Sequence, residues 1–148
     1  KMNILYNISD FCINISFAEG FGLSTLEAMN AGIPIVAAKT GGMTRQVVDH
    51  RDGSHNGVAL DIDIKTLVGS QGVPYIYEDY VKNENVAQAI MKMYELNDLE
   101  RVKLGKKVFD YARSEFGFNK TIDMWHESAN NLISSWKQNR KTFSVEEM

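Results

Sequence analysis

The sequence has few of the features that define secreted, membrane-spanning or nucleic-acid-binding proteins. It has one cysteine, Cys12, which excludes a disulfide framework within the chain. Its longest apolar runs, FCINISF and IPIVAA, are far too short for a membrane-spanning helix. The formal net charge is −3, and no basic stripe indicates a nucleic-acid partner. We therefore expect a cytoplasmic protein without a signal peptide, a transmembrane segment or bound nucleic acid.

The composition is that of an ordinary globular domain. Hydrophobic residues make up 44% of the chain and charged residues 24%. A length of 148 residues is sufficient for one hydrophobic core. The sequence thus predicts a single domain over residues 1–148.

Strand-like and helix-like segments alternate in the first part of the chain, over residues 1–62. Residues 11–17, 33–38 and 57–62 are apolar runs that predict buried strands. Glycine-containing turns lead from the first two strands into short helices over about 25–30 and 44–49. This alternation predicts an α/β fold with a short parallel sheet.

The remaining chain departs from that alternation. Residues 63–83 fit neither pattern and predict an inserted loop or a hairpin, with Tyr75 and Tyr77 in strand-like alternation. Residues 84–136 predict helices with apolar stripes, the last of which ends at Trp136. Residues 137–148 predict a frayed tail.

The stretch EGFGLSTLEAM, residues 19–29, carries the chemistry of interest. A glycine turn before a helix can hold phosphate, because the first N–H groups of the helix are unpaired and its dipole favours an anion. Glu19 and Glu27 flank this turn, and carboxylates accept hydrogen bonds from sugar hydroxyls. Ribose, diphosphate and hexose are arranged in this order in a nucleotide sugar.

A purely structural explanation also exists for Glu27. Ser24 and Glu27 have the spacing of a capping box, in which each side chain pairs with backbone at the helix start. Glu19 has no comparable role in folding. A dinucleotide site is disfavoured, because GFGLST lacks the third glycine of that motif.

Residues 9–60 resemble the donor-binding core of retaining glycosyltransferases of the GT-B fold, most closely the "group 1" family (family 4). The matching features are the acid–Gly–Phe–Gly turn, the second acid in LEAM, and a strand that ends in Gly-Gly. The resemblance implies a partial Rossmann-like, three-layer domain, the C-terminal portion of a GT-B fold. It also implies transfer of a hexose, with retention, from a donor such as a UDP- or GDP-hexose.

The resemblance assigns roles to individual residues. Glu19 would contact the transferred sugar, Glu27 the ribose, and the backbone around Gly22 the diphosphate. The implied donor-binding residues are Glu19, Gly20, Phe21, Gly22, Leu23, Ser24 and Glu27, with Gly41, Gly42 and Arg45 as further candidates. A catalytic role for Glu19 stays open, because this chemistry is usually assigned to a front-face displacement aided by the leaving phosphate.

One segment departs from the family pattern. Met43-Thr44-Arg45 replaces the usual apolar residue, Pro and Glu. Arg45 is therefore either a solvated helix residue or a contact to phosphate or acceptor. His50, Asp52 and His55 have loose metal-like spacing, but we interpret them as a polar turn and expect neither a metal nor a cofactor.

The resemblance also implies what lies outside the chain. An N-terminal domain and a basic Arg–Lys pair are expected elsewhere in a longer protein, itself cytoplasmic or peripheral to the membrane. This chain would then be a fragment that is inactive alone, self-associates and has an unknown acceptor. The alternatives are a non-catalytic nucleotide-sugar-binding or assembly module and a GT-B sugar epimerase.

Overall fold

The structure is a computed structural model that describes residues 2–141. Its helices and strands follow in chain order: α1 Met2–Asn7, β1 Cys12–Asn14, α2 Leu23–Asn30, β2 Ile35–Ala38, α3 Met43–Val47, β3 Gly57–Leu60, β4 Ile64–Ser70, β5 Val73–Tyr80, α4 Asn83–Tyr94, α5 Asp98–Glu115 and α6 Phe118–Asn139. Most of the tail predicted for 137–148 lies outside the described residues. None of the described helices is both long and apolar enough to cross a membrane.

The first three strands form a parallel sheet in the order β1-β2-β3. The predicted α/β class with a short parallel sheet is thereby confirmed. Strand β1 is shorter than the predicted 11–17 because Asn14 accepts hydrogen bonds from the backbone N–H and the hydroxyl of Ser16, at 3.0 and 2.8 Å. Such a local side-chain turn competes with the strand ladder and ends it.

The core is centred on β2. All four of its residues are fully buried, as expected for the middle strand of a covered parallel sheet. Val36 packs in one cluster with Leu60 of β3 and with Ala89 and Met93 of α4. Helices α2 and α3 also contact β2.

Strands β4 and β5 form a separate antiparallel hairpin between β3 and α4. Its base lies beside the loop that follows β1. The Asp79 N–H donates to the Phe17 carbonyl at 2.7 Å, and the Phe17 and Tyr80 rings have centroids 4.4 Å apart. The hairpin therefore supports the segment that leads into the acidic turn.

The chain divides into two compact units, residues 1–113 and 114–148. The first contains the sheet, the hairpin and α4. The second contains α6, which has no buried side chain. Within it Lys120 donates to Glu115 at 2.7 Å.

The connection from α3 to β3 is held by an ion pair in a tight turn. The buried Asp49 carboxylate accepts hydrogen bonds from the Arg51 backbone N–H at 2.9 Å and from Arg51 Nη2 at 2.6 Å. These hydrogen bonds to Arg51 are the main cause that lowers the pKa of Asp49 from 3.8 to about 2. The ionised form of Asp49 thus stabilises the fold.

We expect Asp49→Asn to destabilise the protein at neutral pH by about 1–2 kcal/mol, a value reduced for the exposure of Arg51. Because the folded pKa lies below the unfolded value, this contribution is present above about pH 4 and is lost as the pH falls toward 2. Urea unfolding of both proteins between pH 6 and pH 2.5 measures the difference. Asp123→Asn on α6 controls for the loss of one negative charge. A difference in unfolding free energy between the unchanged protein and Asp49→Asn that stays constant with pH would contradict the prediction.

Candidate functional site

The acidic turn connects β1 to α2 and includes a glycine in the left-handed region. Gly22 has φ 87° and is the N-cap of α2. A Cβ at this position would lie 2.6 Å from Thr25 Oγ1 and 2.8 Å from Met43 Cγ. Both the conformation and the space therefore require glycine.

The capping box considered for Ser24 and Glu27 is not formed. Helix α2 begins at Leu23, one residue before Ser24, and no side chain caps it. The local hydrogen bond is made by Thr25, whose hydroxyl donates to the Gly22 carbonyl at 2.7 Å. Glu27 then lies in the second turn, beyond reach of the first N–H groups. Capping does not explain Glu27.

The second glycine turn packs directly on the acidic turn. The Gly42 N–H donates to the Gly20 carbonyl at 3.1 Å. A Cβ at Gly41 would lie 1.6 Å from the Glu19 carbonyl oxygen, and one at Gly42 would lie 2.7 Å from Phe21 Cα. Two backbone segments approach this closely only without side chains between them. The structure thus brings Gly41 and Gly42 against residues 19–21.

A buried polar cluster secures this contact. Gln46 of α3 is fully buried, and its Nε2 donates to the Phe21 carbonyl at 2.7 Å. Its Oε1 contacts the hydroxyl of the buried Thr25. Asn56 Nδ2 donates to the Gln46 carbonyl at 2.8 Å. Gln46, Thr25 and Asn56 were not among the predicted site residues. The sign of Gln46 in the sequence is a polar side chain in the otherwise apolar end of MTRQVV.

Glu27 has a partner on α1. The Tyr6 hydroxyl donates to Glu27 Oε2 at 3.0 Å. Desolvation, and to a lesser extent this contact with Glu27, raise the pKa of Tyr6 above its usual value near 10. A pocket of about 270 Å³ opens here, lined by Met2, Tyr6, Glu27, Asn30 and Ala31. Tyr6 was not among the predicted site residues, because no helix was predicted before the first strand.

The other predicted residues lie around the start of α2 or on α3. Glu19 is half-buried, whereas Leu23 and Ser24 are exposed. Arg45 is exposed on α3, and its guanidinium lies 3.3 Å from His50 Nε2. Within residues 2–141, no three His, Cys, Asp or Glu side chains come together as metal ligands would.

Comparison with known proteins assigns the chain to a family. The family profile described as "Glycosyl transferases group 1" matches residues 1–108, which include both glycine turns and the Tyr6–Glu27 pair. The chain belongs to this family. The matched region includes all the site residues inferred above.

Individual relatives agree with this assignment. The chain is 41% identical over 49 residues to D-inositol 3-phosphate glycosyltransferase 2 of Catenulispora acidiphila. This match covers 33% of the chain and 12% of that protein. It is 33% identical over 103 residues to trehalose synthase of Thermococcus litoralis, a match that covers 70% of this chain and 21% of that protein. It is 28% identical over 98 residues to N-acetyl-alpha-D-glucosaminyl L-malate synthase of Bacillus anthracis, a match that covers 66% of this chain and 25% of that protein. The matches thus span a quarter or less of the length of each of these relatives.

The contact between the two turns predicts a sharp difference between two glycine substitutions. Gly41 has φ 48°, and the methyl group of an alanine at this position would overlap the Glu19 carbonyl oxygen. We therefore expect Gly41→Ala to lower the free energy of unfolding by about 3 kcal/mol or more. Gly20→Ala meets no atom within 4 Å and should change stability by less than about 1 kcal/mol. Thermal and urea unfolding of both variants measure the effect. Equal stability of the two variants would show that the turns do not pack as described.

Proposed function

We propose that this chain forms the donor half-site of a retaining hexosyltransferase and binds a nucleotide sugar such as a UDP- or GDP-hexose. The observation that carries the proposal is the pair of acids on either side of the α2 start, in a group 1 glycosyltransferase. Glu27 supports it further, since no helix cap accounts for this residue.

The start of α2 suits the diphosphate of such a donor. The first N–H groups of a helix lack intrahelical acceptors, and the helix dipole attracts anions there. Gly20 is exposed and leaves space beside the turn, since a Cβ at this position would meet nothing within 4 Å. We therefore assign the diphosphate to the backbone of Gly22, Leu23 and Ser24.

The two carboxylates are assigned to the two sugars. Glu19 precedes the helix and would accept hydrogen bonds from hydroxyls of the transferred hexose. Glu27 follows Leu23 by four residues, a rise of about 6 Å along α2, and would accept from the ribose. We propose Glu19 as a donor-binding residue rather than a nucleophile. Arg45 is left out of the proposed contacts, because its guanidinium pairs with His50.

We propose that this half-site does not transfer sugar by itself. Transfer also needs an acceptor surface and cations that neutralise the leaving diphosphate, and the resemblance assigns both to other regions. The relatives' names mention D-inositol 3-phosphate and L-malate, which differ too much to suggest an acceptor for this chain. We expect the donor to bind without a metal. We also expect self-association, since Tyr75 and Trp125 are among many exposed apolar side chains.

Loss of the Glu27 carboxylate should weaken nucleotide binding. Calorimetric titration with UDP, GDP and ADP should identify one nucleotide that binds, and Glu27→Ala should reduce its affinity by about tenfold or more, since hydrogen bonds to charged groups contribute about 1.5–3 kcal/mol. Glu127→Ala on the exposed α6 is the matched control and should bind like the unchanged protein. If none of the three nucleotides binds the unchanged chain, the proposed half-site is wrong for this chain, although the family membership stands.

Glu19 should affect the sugar and not the nucleotide. For the nucleotide that binds, titrations with the diphosphate and with its hexose derivatives give the affinity gained from the sugar. Glu19→Gln keeps the side-chain size and removes the charge, so it should reduce this gain by about tenfold and leave the diphosphate affinity within about twofold. If Glu19→Gln lost affinity equally for the diphosphate and for its hexose derivative, Glu19 would support the structure of the turn and would not contact the sugar.

A further inference from the structure

A single hydrogen bond fixes the orientation of Glu27 before any ligand binds. The Tyr6 hydroxyl donates to Glu27 Oε2 at 3.0 Å, and both side chains line the same pocket. Glu27 is exposed, so without this bond its flexible side chain would sample several rotamers. The contact joins α1 to α2 across 21 residues of sequence.

We propose that Tyr6 is a positioning residue, which holds the Glu27 carboxylate so that its remaining acceptor sites face the ribose of the donor. This inference rests on the proposed function and adds a residue to it. An ionised carboxylate has about four lone-pair sites on two oxygens, and Tyr6 occupies one of them. Oε1 and the second lone pair of Oε2 remain available for ribose hydroxyls.

Tyr6 is itself held in place by its surroundings. At the end of α1, the Ser9 N–H donates to the Tyr6 carbonyl at 3.0 Å and the Ser9 hydroxyl to the Leu5 carbonyl at 2.8 Å. The next residue, Asp10, accepts from Arg101 of α5 at 2.8 Å, and Arg101 also donates to the Leu96 carbonyl. The segment that carries Tyr6 is thus anchored to the helical part of the same compact unit.

The proton needed for this contact is present under ordinary conditions. Because desolvation and the neighbouring carboxylate raise the pKa of Tyr6, the hydroxyl stays protonated well above neutral pH. It therefore donates to the Glu27 carboxylate.

The test compares ribonucleotides with their deoxy counterparts. UDP, GDP and ADP are titrated beside the 2′-deoxy and 3′-deoxy forms into the unchanged chain, Tyr6→Phe and Tyr94→Phe. For the nucleotide that binds, we expect the unchanged chain to prefer the ribose form by about tenfold, and Tyr6→Phe to reduce this preference by about threefold or more. Tyr94 is exposed, and Tyr94→Phe should keep the full preference.

The outcomes separate this inference from the proposed function. If the unchanged chain binds and Glu27→Ala weakens binding, but Tyr6→Phe keeps the full ribose preference, only the role of Tyr6 is wrong. Equal weakening for ribose and deoxyribose forms would indicate a general structural role and would also reject the inference. Tighter nucleotide binding by Tyr6→Phe would show that Tyr6 competes with the ligand for Glu27, and it would reject the inference as well. A lack of nucleotide binding by the unchanged chain would overturn both proposals.

Discussion

The backbone contact between the two glycine turns determines the arrangement of the whole site. Each turn follows the carboxyl end of a parallel strand, and neighbouring parallel strands end at the same edge of a sheet. Gly41 and Gly42 allow the second turn to lie against Glu19, Gly20 and Phe21 without side chains between them. Because α2 begins directly after the first turn and α3 directly after the second, this contact also fixes where both helices start.

The buried polar cluster links that contact to the core. Burying an amide or a hydroxyl is unfavourable unless it finds partners. Gln46 and Thr25 find theirs in each other and in the backbone, and Asn56 Nδ2 donates to the Gln46 carbonyl, whereas the buried Asn56 Oδ1 has no hydrogen-bond partner among the described residues. Gln46 joins the first turn to α3, and Asn56 joins α3 to the start of β3. The turn is therefore attached to rigid elements at several points, so the proposed donor site would be preformed rather than assembled on binding.

Much of the fold could be predicted from the sequence, because IPIVAA and GVALDI are apolar runs of strand length bounded by turn residues. The errors have local causes. The turn made by Asn14 shortened β1, and the left-handed Gly22 moved the start of α2 ahead of Ser24. Helix α1 has six residues, less than two turns, and is too short for a periodic pattern to reveal. Tyr6 was missed for that reason.

The position of the helix start is compatible with the proposal that Glu19 and Glu27 bind one ligand. If Glu27 capped α2, its charge would occupy the N–H groups that we assign to the diphosphate, and it would repel that anion. With the start at Leu23, the carboxylate lies in the second turn and pairs with Tyr6. The proposed anion site and the proposed ribose acceptor are then separate along one helix. In this arrangement the left-handed Gly22, by starting α2 at Leu23, sets the separation between the proposed diphosphate site and the proposed ribose site.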